Sequence, residues 1–425
     1  MATTAEHKAS PSGRRPRARI RQVFRKRLVL AAVCVALGLV VWQGRPWFAD
    51  FANWRGRNAV NLRKLDAALA WFQRAEALDS GRGESQFWMA RVERLRGRPD
   101  LMQAHLERAL KAGFPAIRLH REQVLARMQS GHMGQAEGEV SALLMDAGDD
   151  APAICEAIAS GYLAAFRLKE AMTVLEAWKR DYPQDPQPLV IRGMYFAQRQ
   201  TWSQAAEEFE KALAMAPHRD DVRLQWAEAL RNLHQLDAAR EQFERCRRSS
   251  PRNPAALIGL GRCLLESGEL VQARERFEQA LKITPDSWDG RFWLGKLLAT
   301  DGDAERAVPL LDAVCRERPY EPDVRYSLAM ALQAAGRRAE AQEHFQYVAA
   351  QQRAQSELRN QLELLERSPT RVDLRFQIGK TLLEYGNPDE GISWLQSALE
   401  LDADHPESLA ALAEYASRRE KLQKP

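Results

Sequence analysis

A fixed spacing of prolines is the feature that most constrains how this chain can fold. Prolines stand at positions 183, 217, 251, 285 and 319, so that each follows the previous one after 34 residues. Each interval holds two helical patterns separated by a short turn, and the proline ends the second helix because it cannot continue one. The chain is therefore predicted to stack helical hairpins side by side.

Two further positions recur with the same spacing. Small residues come twelve positions before each proline, at Ala171, Ala205, Ala239, Ala273 and Ala307. Bulky apolar residues come eight positions before it, at Leu175, Phe209, Phe243, Phe277 and Leu311. Small side chains allow two helices to approach closely, and bulky ones fill the seam between them. We predict that these columns form the core of each hairpin.

The columns resemble the tetratricopeptide repeat (TPR) pattern, as in the segments AAEEFEKALAMAP and ARERFEQALKITP. The resemblance implies an all-α fold, a right-handed α-solenoid of about ten TPR helix-turn-helix repeats. The Trp that the pattern expects in the first helix is absent, and its column holds Arg223, Arg291, Arg325 and Arg375. We expect these arginines to have a structural role in place of the Trp.

The register predicts a solenoid over residues 49–403, with two degenerate repeats near its start. The expected repeats are 49–80, 81–115, 116–149, 150–183, 184–217, 218–251, 252–285, 286–319, 320–353 and 370–403. No Gly or Pro intervenes between Arg337 and Ser368. We therefore predict one long helix near 338–367, with an inserted extension over 354–368. Residues 404–425 are expected to form a C-terminal capping helix, because the end of a solenoid needs a polar cover.

The amino-terminal region predicts a membrane anchor. Residues 1–27 are basic and lack apolar periodicity, as in a disordered cytoplasmic tail. The apolar run from Leu28 to Trp42 then predicts a transmembrane signal-anchor helix over 28–47. The run is short for a span, so a cleaved signal peptide is the alternative. The flanking basic and aromatic residues, and the lack of an Ala-x-Ala cleavage site, favour the uncleaved anchor.

The basic residues before the run predict a single-pass orientation. By the positive-inside rule the N-terminus stays in the cytoplasm, and the TPR body lies on the outer, periplasmic or extracytoplasmic side. The net charge of +5 comes largely from this tail. Nucleic-acid binding through the tail is the least favoured of the functions considered, because charges of both signs alternate in the rest of the chain.

Known catalytic, cofactor and metal motifs are missing from the sequence. The five cysteines form no CxxC pair, and no P-loop, nucleophile elbow or HExxH motif is found. The segment GLGRCL at Gly259 begins like a dinucleotide loop but lacks the third Gly and a preceding strand. We therefore predict no enzyme activity, no cofactor, no metal and no small-molecule substrate.

The TPR resemblance implies a concave groove lined by the first helix of each repeat. The candidate partner-binding residues are Asp221, Leu224, Glu228, Arg231, Asn232, Ile258, Arg262, Phe292, Lys296, Tyr326 and Met330. Among them Arg231, Arg262 and Lys296 could form a basic strip that holds an acidic segment, although Glu228 and Asp289 lie nearby. A solvated inner face without a ligand is the alternative.

Such a groove suits an extended or helical peptide. The leading hypothesis is a membrane-anchored TPR scaffold that mediates protein-protein interaction or complex assembly. The alternative keeps the fold and makes the chain an accessory TPR subunit of a polysaccharide-export or cytochrome-maturation complex.

Overall fold

A computed structural model describes residues 45–79 and 81–423 of the chain. All regular secondary structure in these residues is helical. The predicted tail, 1–27, and the apolar run Leu28 to Trp42 lie outside the described residues. Within 45–79 and 81–423 none of the helices combines the length and the apolar character that a membrane span requires.

The helices follow one another in pairs along the chain. Their bounds are α1 45–61, α2 Leu65–Leu78, α3 Glu84–Leu95, α4 Pro99–Lys111, α5 Ala116–Gln129, α6 Met133–Met145, α7 Ala151–Ala164, α8 Leu168–Asp181, α9 Gln187–Gln198, α10 Trp202–Met215, α11 Asp220–Asn232, α12 Leu236–Ser249, α13 Pro254–Glu266, α14 Leu270–Ile283, α15 Trp288–Thr300, α16 Ala304–Glu317, α17 Pro322–Ala334, α18 Arg338–Arg367, α19 Val372–Tyr385, α20 Pro388–Leu399 and α21 Pro406–Gln423. A short 3₁₀ turn, Gly148–Asp150, precedes α7.

The turn inside each pair from α1–α2 to α17–α18 contains a residue with positive φ that recurs with the sequence period. These residues are Arg63, Gly97, Gly131, Phe166, Gln200, His234, Gly268, Gly302 and Gly336. Successive positions are 34 residues apart, except for 35 between Gly131 and Phe166. The register therefore continues through the two degenerate repeats and changes there by a single residue.

The predicted columns of small and bulky residues are buried. Ala273 and Phe277 have no exposed surface, and the same holds for Ala205 and Phe209. A Cβ atom added at Gly261 would lie 2.5 Å from Phe277 Cε1, so the ring rests directly on the backbone of the first helix. This contact confirms the predicted packing of the small and bulky columns in the seam.

The arginines in the Trp column join consecutive repeats. Each donates a hydrogen bond to the carbonyl oxygen of the proline six residues before it. Arg291 Nε lies 3.1 Å from Pro285 O, and Arg325 Nε lies 2.7 Å from Pro319 O. Each of these prolines stands two residues after the last residue of a second helix, so the bonds tie the loop that follows that helix to the next first helix. The expected structural role of the arginines is confirmed.

The chain divides into two compact units, and the division falls inside α5. The first unit ends at Glu122 and contains α1 to α4 and the start of α5. Its core includes Phe72, Met89 and Val92. The second unit begins at Gln123 and contains the remaining helices.

Within the second unit the first helices of successive pairs form one layer. Helices α9, α11, α13, α15 and α17 each contact the first helix of the neighbouring pair. The second helices α10, α12, α14 and α16 pack on the helices before and after them in the sequence. The free face of the first-helix layer is here called the inner surface.

Helix α18 departs from the repeat by its length of 30 residues, as the sequence predicted for the region near 338–367. Its carboxy-terminal part packs on α19, where Leu365 joins a core cluster with Leu374 and Ile378. Gln351 is fully buried, and its Nε2 donates to the carbonyl oxygens of Tyr320 and Tyr385, the latter at 2.7 Å. Through Gln351, α18 thus connects the loop before α17 with the end of α19.

Candidate protein-binding surface

The inner surface exposes apolar side chains at its carboxy-terminal end. Tyr326 and Met330 lie one turn apart on α17 and are 50% and 45% exposed. Leu224 on α11 is half-buried and packs beside Ala227. Exposed aromatic and methionine side chains of this kind suit contact with another protein.

Four charged residues on α11 and α13 form what we call the inner charge cluster: Glu228, Arg231, Arg262 and Glu266. Glu228 accepts from both arginines, with Oε1 at 2.9 Å from Arg262 Nη1 and Oε2 at 3.1 Å from Arg231 Nε. Arg231 Nη1 also donates to Glu266. Both signs are therefore paired within the protein.

Burial and neighbouring charges act against each other in this cluster. Burial alone would lower the pKa of Arg231, but the carboxylates of Glu228 and Glu266 outweigh it and raise that pKa. Burial lowers the pKa of Arg262. Glu228 offsets this lowering only in part, and the like charge of Arg231 lowers the pKa further. Arg262 is therefore the less well compensated of the two cations.

Aromatic rings extend the inner charge cluster towards α15. The guanidinium of Arg262 lies 4.5 Å from the ring centroid of Trp293, and Lys296 Nζ lies 5.0 Å from the same ring. Burial raises the pKa of Asp289, although Arg262 and the Trp293 side chain act in the opposite direction.

A second polar network crosses the start of the first helices. Arg219 donates to Asp221 at 2.8 Å and to Gln187 Oε1 at 3.3 Å. Gln187 in turn donates to Glu156 on α7 at 3.1 Å. Three consecutive first helices are thereby joined by side-chain hydrogen bonds, and of the predicted candidates only Asp221 belongs to this network.

Three of the predicted surface residues are buried: Arg231, which belongs to the inner charge cluster, and two apolar residues. Ile258 is 4% exposed and Phe292 is 5% exposed, and both belong to the core of the second unit. Their placement on the inner surface was therefore wrong. The physical reason is that the first helices pack side by side, so one stripe of each helix is covered by its neighbour.

The predicted basic strip is largely neutralised by carboxylates. Arg231 and Arg262 are both engaged by Glu228, and Arg231 by Glu266 as well. Asn232 contacts the same cluster, since its Oδ1 accepts from Arg231 Nη2 at 3.2 Å. Arg231, Arg262 and Lys296 therefore do not present three uncompensated positive charges in a row.

Sequence reasoning missed two residues of this surface, Glu266 and Trp293. Glu266 stands 34 residues after Asn232. It therefore occupies the same position in the next repeat, and the repeat period could have identified it. Trp293 follows the predicted Phe292 directly, but no periodic signal in the neighbouring repeats indicates an aromatic residue there.

Few groups in the described residues suggest other chemistry. In 45–79 and 81–423 no cluster of three or more His, Cys, Asp or Glu side chains is arranged to hold a metal ion. The four cysteines of this part are free thiols. Burial raises the pKa of Cys263 to about 12 and that of Cys155 to about 11, which keeps both thiols protonated at neutral pH.

The first unit contains a charged cluster of a different kind. Glu122 on α5 has no exposed surface and accepts from Arg91 Nε at 2.6 Å and from Arg94 Nε at 2.8 Å. Burial alone would raise the pKa of Glu122, but the two guanidinium groups outweigh it and lower that pKa. Since all three side chains are buried, this cluster holds the first unit together rather than facing a ligand.

Two stretches of the chain match family models that describe the tetratricopeptide repeat, residues 233–299 and residues 372–405. The first stretch contains Arg262 and Glu266, two of the four residues of the inner charge cluster, together with Trp293 and Lys296. The second contains α19 and α20. No curated protein matches the chain by sequence.

Solved structures with similar helical architecture include YrrB, a TPR protein with an unusual peptide-binding site. It is 22% identical, covers 49% of this chain and 100% of its own, and has a TM-score of 0.30. MamA AMB-1 is 24% identical over 40% of this chain and 92% of its own, with a TM-score of 0.30. A human IFIT1 dimer with m7Gppp-AAAA is 16% identical over 84% of this chain and 90% of its own, with a TM-score of 0.46. The similarity to the tetratricopeptide repeat therefore rests on the two matched stretches.

Proposed function

We propose that this chain, two stretches of which match the tetratricopeptide repeat, is a membrane-anchored scaffold that binds a protein partner through the inner surface of its second unit. The observation that carries this proposal is the exposure of Tyr326 and Met330 on the same helix layer as the inner charge cluster. Apolar anchors beside oriented charges are what a peptide-binding groove requires.

The electrostatics of the inner surface narrow the kind of partner. Since Glu228 and Glu266 balance Arg231 and Arg262, the surface offers acceptors and donors in fixed positions without a strong net field. Such a surface favours a peptide of mixed polarity over a purely acidic one. We infer that the partner segment places an apolar side chain near Tyr326 and polar groups near Glu228.

The membrane part of the proposal is supported by the first described helix. Trp47, Phe51 and Trp54 lie along one exposed face of α1 and are 66%, 43% and 53% exposed. On α2 the guanidinium of Arg74 lies 4.7 Å from the ring centroid of Trp71, which itself contacts Phe51. Tryptophan and arginine are enriched where a protein meets the headgroup region, and this face directly follows the apolar run Leu28 to Trp42.

The binding proposal is tested by capture from crosslinked membranes with the full chain. A Tyr326→Glu, Met330→Glu double variant places two charges on the inner surface and is expected to lose the partner. Val271→Glu on α14 is the matched control, because Val271 is 74% exposed but lies on a second helix. If the double variant retains the same partner as the control, the inner surface does not bind it.

Identification of the captured protein by mass spectrometry also separates the alternatives. Components of a polysaccharide-export or cytochrome-maturation complex would make the chain an accessory subunit of that machine. A partner outside such complexes would support the more general role of a scaffold.

The anchoring proposal has its own test. The full chain is expected to remain in the membrane fraction after alkaline carbonate washing, and deletion of residues 28–42 is expected to release it. A reporter at the carboxy terminus should be active only outside the cytoplasm. Release of the full chain by carbonate, or a cytoplasmic reporter, would contradict the proposed anchoring or orientation.

A further inference from the structure

The second unit contacts itself through residues that are far apart in the sequence. The rings of Phe166 and Trp394 lie 4.5 Å apart between centroids, and Arg199 Nη1 lies 2.7 Å from Glu366 Oε1. Phe166 and Arg199 belong to the turns of the pairs α7–α8 and α9–α10, whereas Glu366 and Trp394 belong to α18 and α20. We call these two contacts the latch.

A cleft lies at the same place and shows that the contact extends beyond two pairs of side chains. It is lined on one side by residues of the turns at Gly131 and Ala165, and on the other by Ser393 and Glu400 of α20 and its carboxy-terminal end. The turns at Gly131 and Phe166 therefore face the last repeat, and the next turn, at Arg199, faces the carboxy-terminal end of α18 just before that repeat.

The latch depends on features that the regular repeat does not contain. Phe166 has a φ of 60°, a left-handed conformation that a bulky aromatic residue rarely adopts. The other turns with positive φ have Gly, Arg, Gln or His at this position, so Phe166 is the one phenyl ring among them. The opposite side of the latch depends on α18. This long helix separates the last repeat from the preceding one and carries Glu366 near its carboxy-terminal end.

The packing between the two sides of the latch is continuous. Each helix from α7 to α20 contacts the next in the sequence, and the first helices from α7 to α17 form the inner layer. The latch joins the last helices back to the turns near α7. The second unit is therefore a closed cycle of packed helices, and the inner surface belongs to that cycle.

We propose that the latch controls access to the inner surface: the closed cycle admits an extended peptide segment, whereas a folded domain reaches Tyr326 only after the latch opens. The proposal rests on the proposed function in one respect, because the gated surface is the one assigned to partner binding. Opening requires the ion pair, the ring contact and the facing walls of the cleft to separate, while α18 and α19 keep their own packing through Leu365 and Ile378.

The test measures access with thiol reagents of two sizes on the full chain carrying Cys34→Ser. Tyr326→Cys reports on the inner surface, and Val271→Cys on α14 reports on an outer position. Native thiols of the described residues should react slowly, because burial raises the pKa of Cys246 to about 12 and Cys263 is buried in the same way. The reagents are a small maleimide and a maleimide that carries a bulky polyethylene glycol chain.

The latch is opened by Arg199→Glu and restored by the charge swap Arg199→Glu with Glu366→Arg. At Tyr326→Cys the bulky reagent should react several-fold faster after Arg199→Glu and return to the original rate in the swap, while the small reagent reacts equally in all three. At Val271→Cys the labelling rates of both reagents should be the same with and without Arg199→Glu. Arg245→Glu, which breaks an exposed ion pair with Glu241 within α12, is the matched control.

Two results would overturn the proposal. One is that the ratio of the labelling rates of the bulky and the small reagent at Tyr326→Cys stays unchanged when Arg199→Glu is introduced. The other is a change that the charge swap does not reverse, or that Arg245→Glu reproduces. Labelling uses no partner, so neither result bears on whether the inner surface binds one. In the same way, the capture experiment with the Tyr326→Glu, Met330→Glu variant does not decide whether the latch controls access.

Discussion

The two units each contain carboxylates held by two arginines, and the clusters differ in burial. In the first unit the Glu122 side chain is 0% exposed, and that of Arg94 is 1% exposed. In the inner charge cluster of the second unit, the side chains of Glu228 and Glu266 are each 30% exposed. The comparison shows that burial separates a cluster that maintains the fold from one that can also meet a partner.

The two clusters also respond differently to protonation. The pKa of Glu122 is lowered in the folded protein, because Arg91 and Arg94 outweigh the effect of burial. Next to the inner charge cluster, the pKa of Asp289 is raised by burial despite Arg262. A charged carboxylate therefore stabilises the first unit, whereas at Asp289 the charged form is disfavoured relative to the unfolded chain.

The largest effect is expected from Glu122→Gln in the first unit. Removing the carboxylate leaves Arg91 and Arg94 buried without their shared counter-ion, which typically costs about 3–5 kcal/mol. Hydrogen exchange measured on peptides from α3 and α5 should show faster opening of the first unit. Glu107→Gln is the control, because Glu107 is exposed and accepts only from its helix neighbour Gln103 in the observed hydrogen bonds. Equal exchange in the two variants would contradict a structural role for Glu122.

A smaller loss is expected from Glu228→Gln in the inner charge cluster. Arg231 keeps Glu266, and both arginines retain some contact with water, so the expected loss in local stability is about 1–2 kcal/mol. Exchange of α11 and α13 amides measures it. A loss of stability as large as that of Glu122→Gln would contradict the distinction between the buried cluster of the first unit and the partly exposed inner charge cluster.

Acidification should affect the two regions in opposite directions. The contribution of Glu122 is present above its ordinary pKa of 4.5 and is lost as the pH falls from that value through the lowered folded pKa. The contribution of Asp289 is present below its ordinary pKa of 3.8 and is lost as the pH rises through the raised folded pKa. Exchange in α3 and α5 should therefore accelerate in acid relative to exchange in α15.

Asp289→Asn separates this pH effect from other titrations. The variant should remove the dependence in α15 and leave that of α3 and α5 unchanged. Its effect on stability at neutral pH should be below about 1 kcal/mol, because Asp289 keeps some contact with solvent. If exchange in α15 depends on pH as it does in the unmodified protein, the raised pKa of Asp289 does not govern the stability of that region.

The smallest effect on stability is expected from Phe166→Asn. Asn adopts positive φ more readily than Phe, so relief of the turn should offset the lost ring contact, which is worth about 0.5–1.5 kcal/mol. Thermal unfolding should change little, while access of the bulky maleimide to Tyr326→Cys should increase. His234→Asn, at the equivalent turn with a φ of 59°, should change neither quantity. Loss of global stability without increased access would contradict a role for Phe166 in the latch.

The periodic part of this molecule could be predicted from the sequence. The alanine and phenylalanine columns are buried as the 34-residue spacing required, and the uninterrupted stretch between Arg337 and Ser368 forms one helix. Periodicity works here because each repeat presents the same positions to the same neighbours. The arginines in the Trp column were recognised for the same reason.

The non-periodic contacts could not be predicted. Arg91, Arg94 and Glu122 lie in degenerate repeats, where no column indicates that they meet. Phe166 and Trp394 meet only because the second unit closes on itself, which depends on packing summed over many helices. Ile258 and Phe292 were misplaced because the period identifies equivalent positions without showing which of them the next first helix covers.

The central claim is that the inner surface of the second unit binds the partner. It is tested most directly with a photo-crosslinking amino acid placed at Tyr326, at Met330 or at Val271 in the full chain in its membrane. We expect Tyr326 and Met330 to crosslink to the same segment of one protein, and Val271 on α14 to give no such product. Crosslinking of that segment from Val271, with none from Tyr326 or Met330, would contradict the claim.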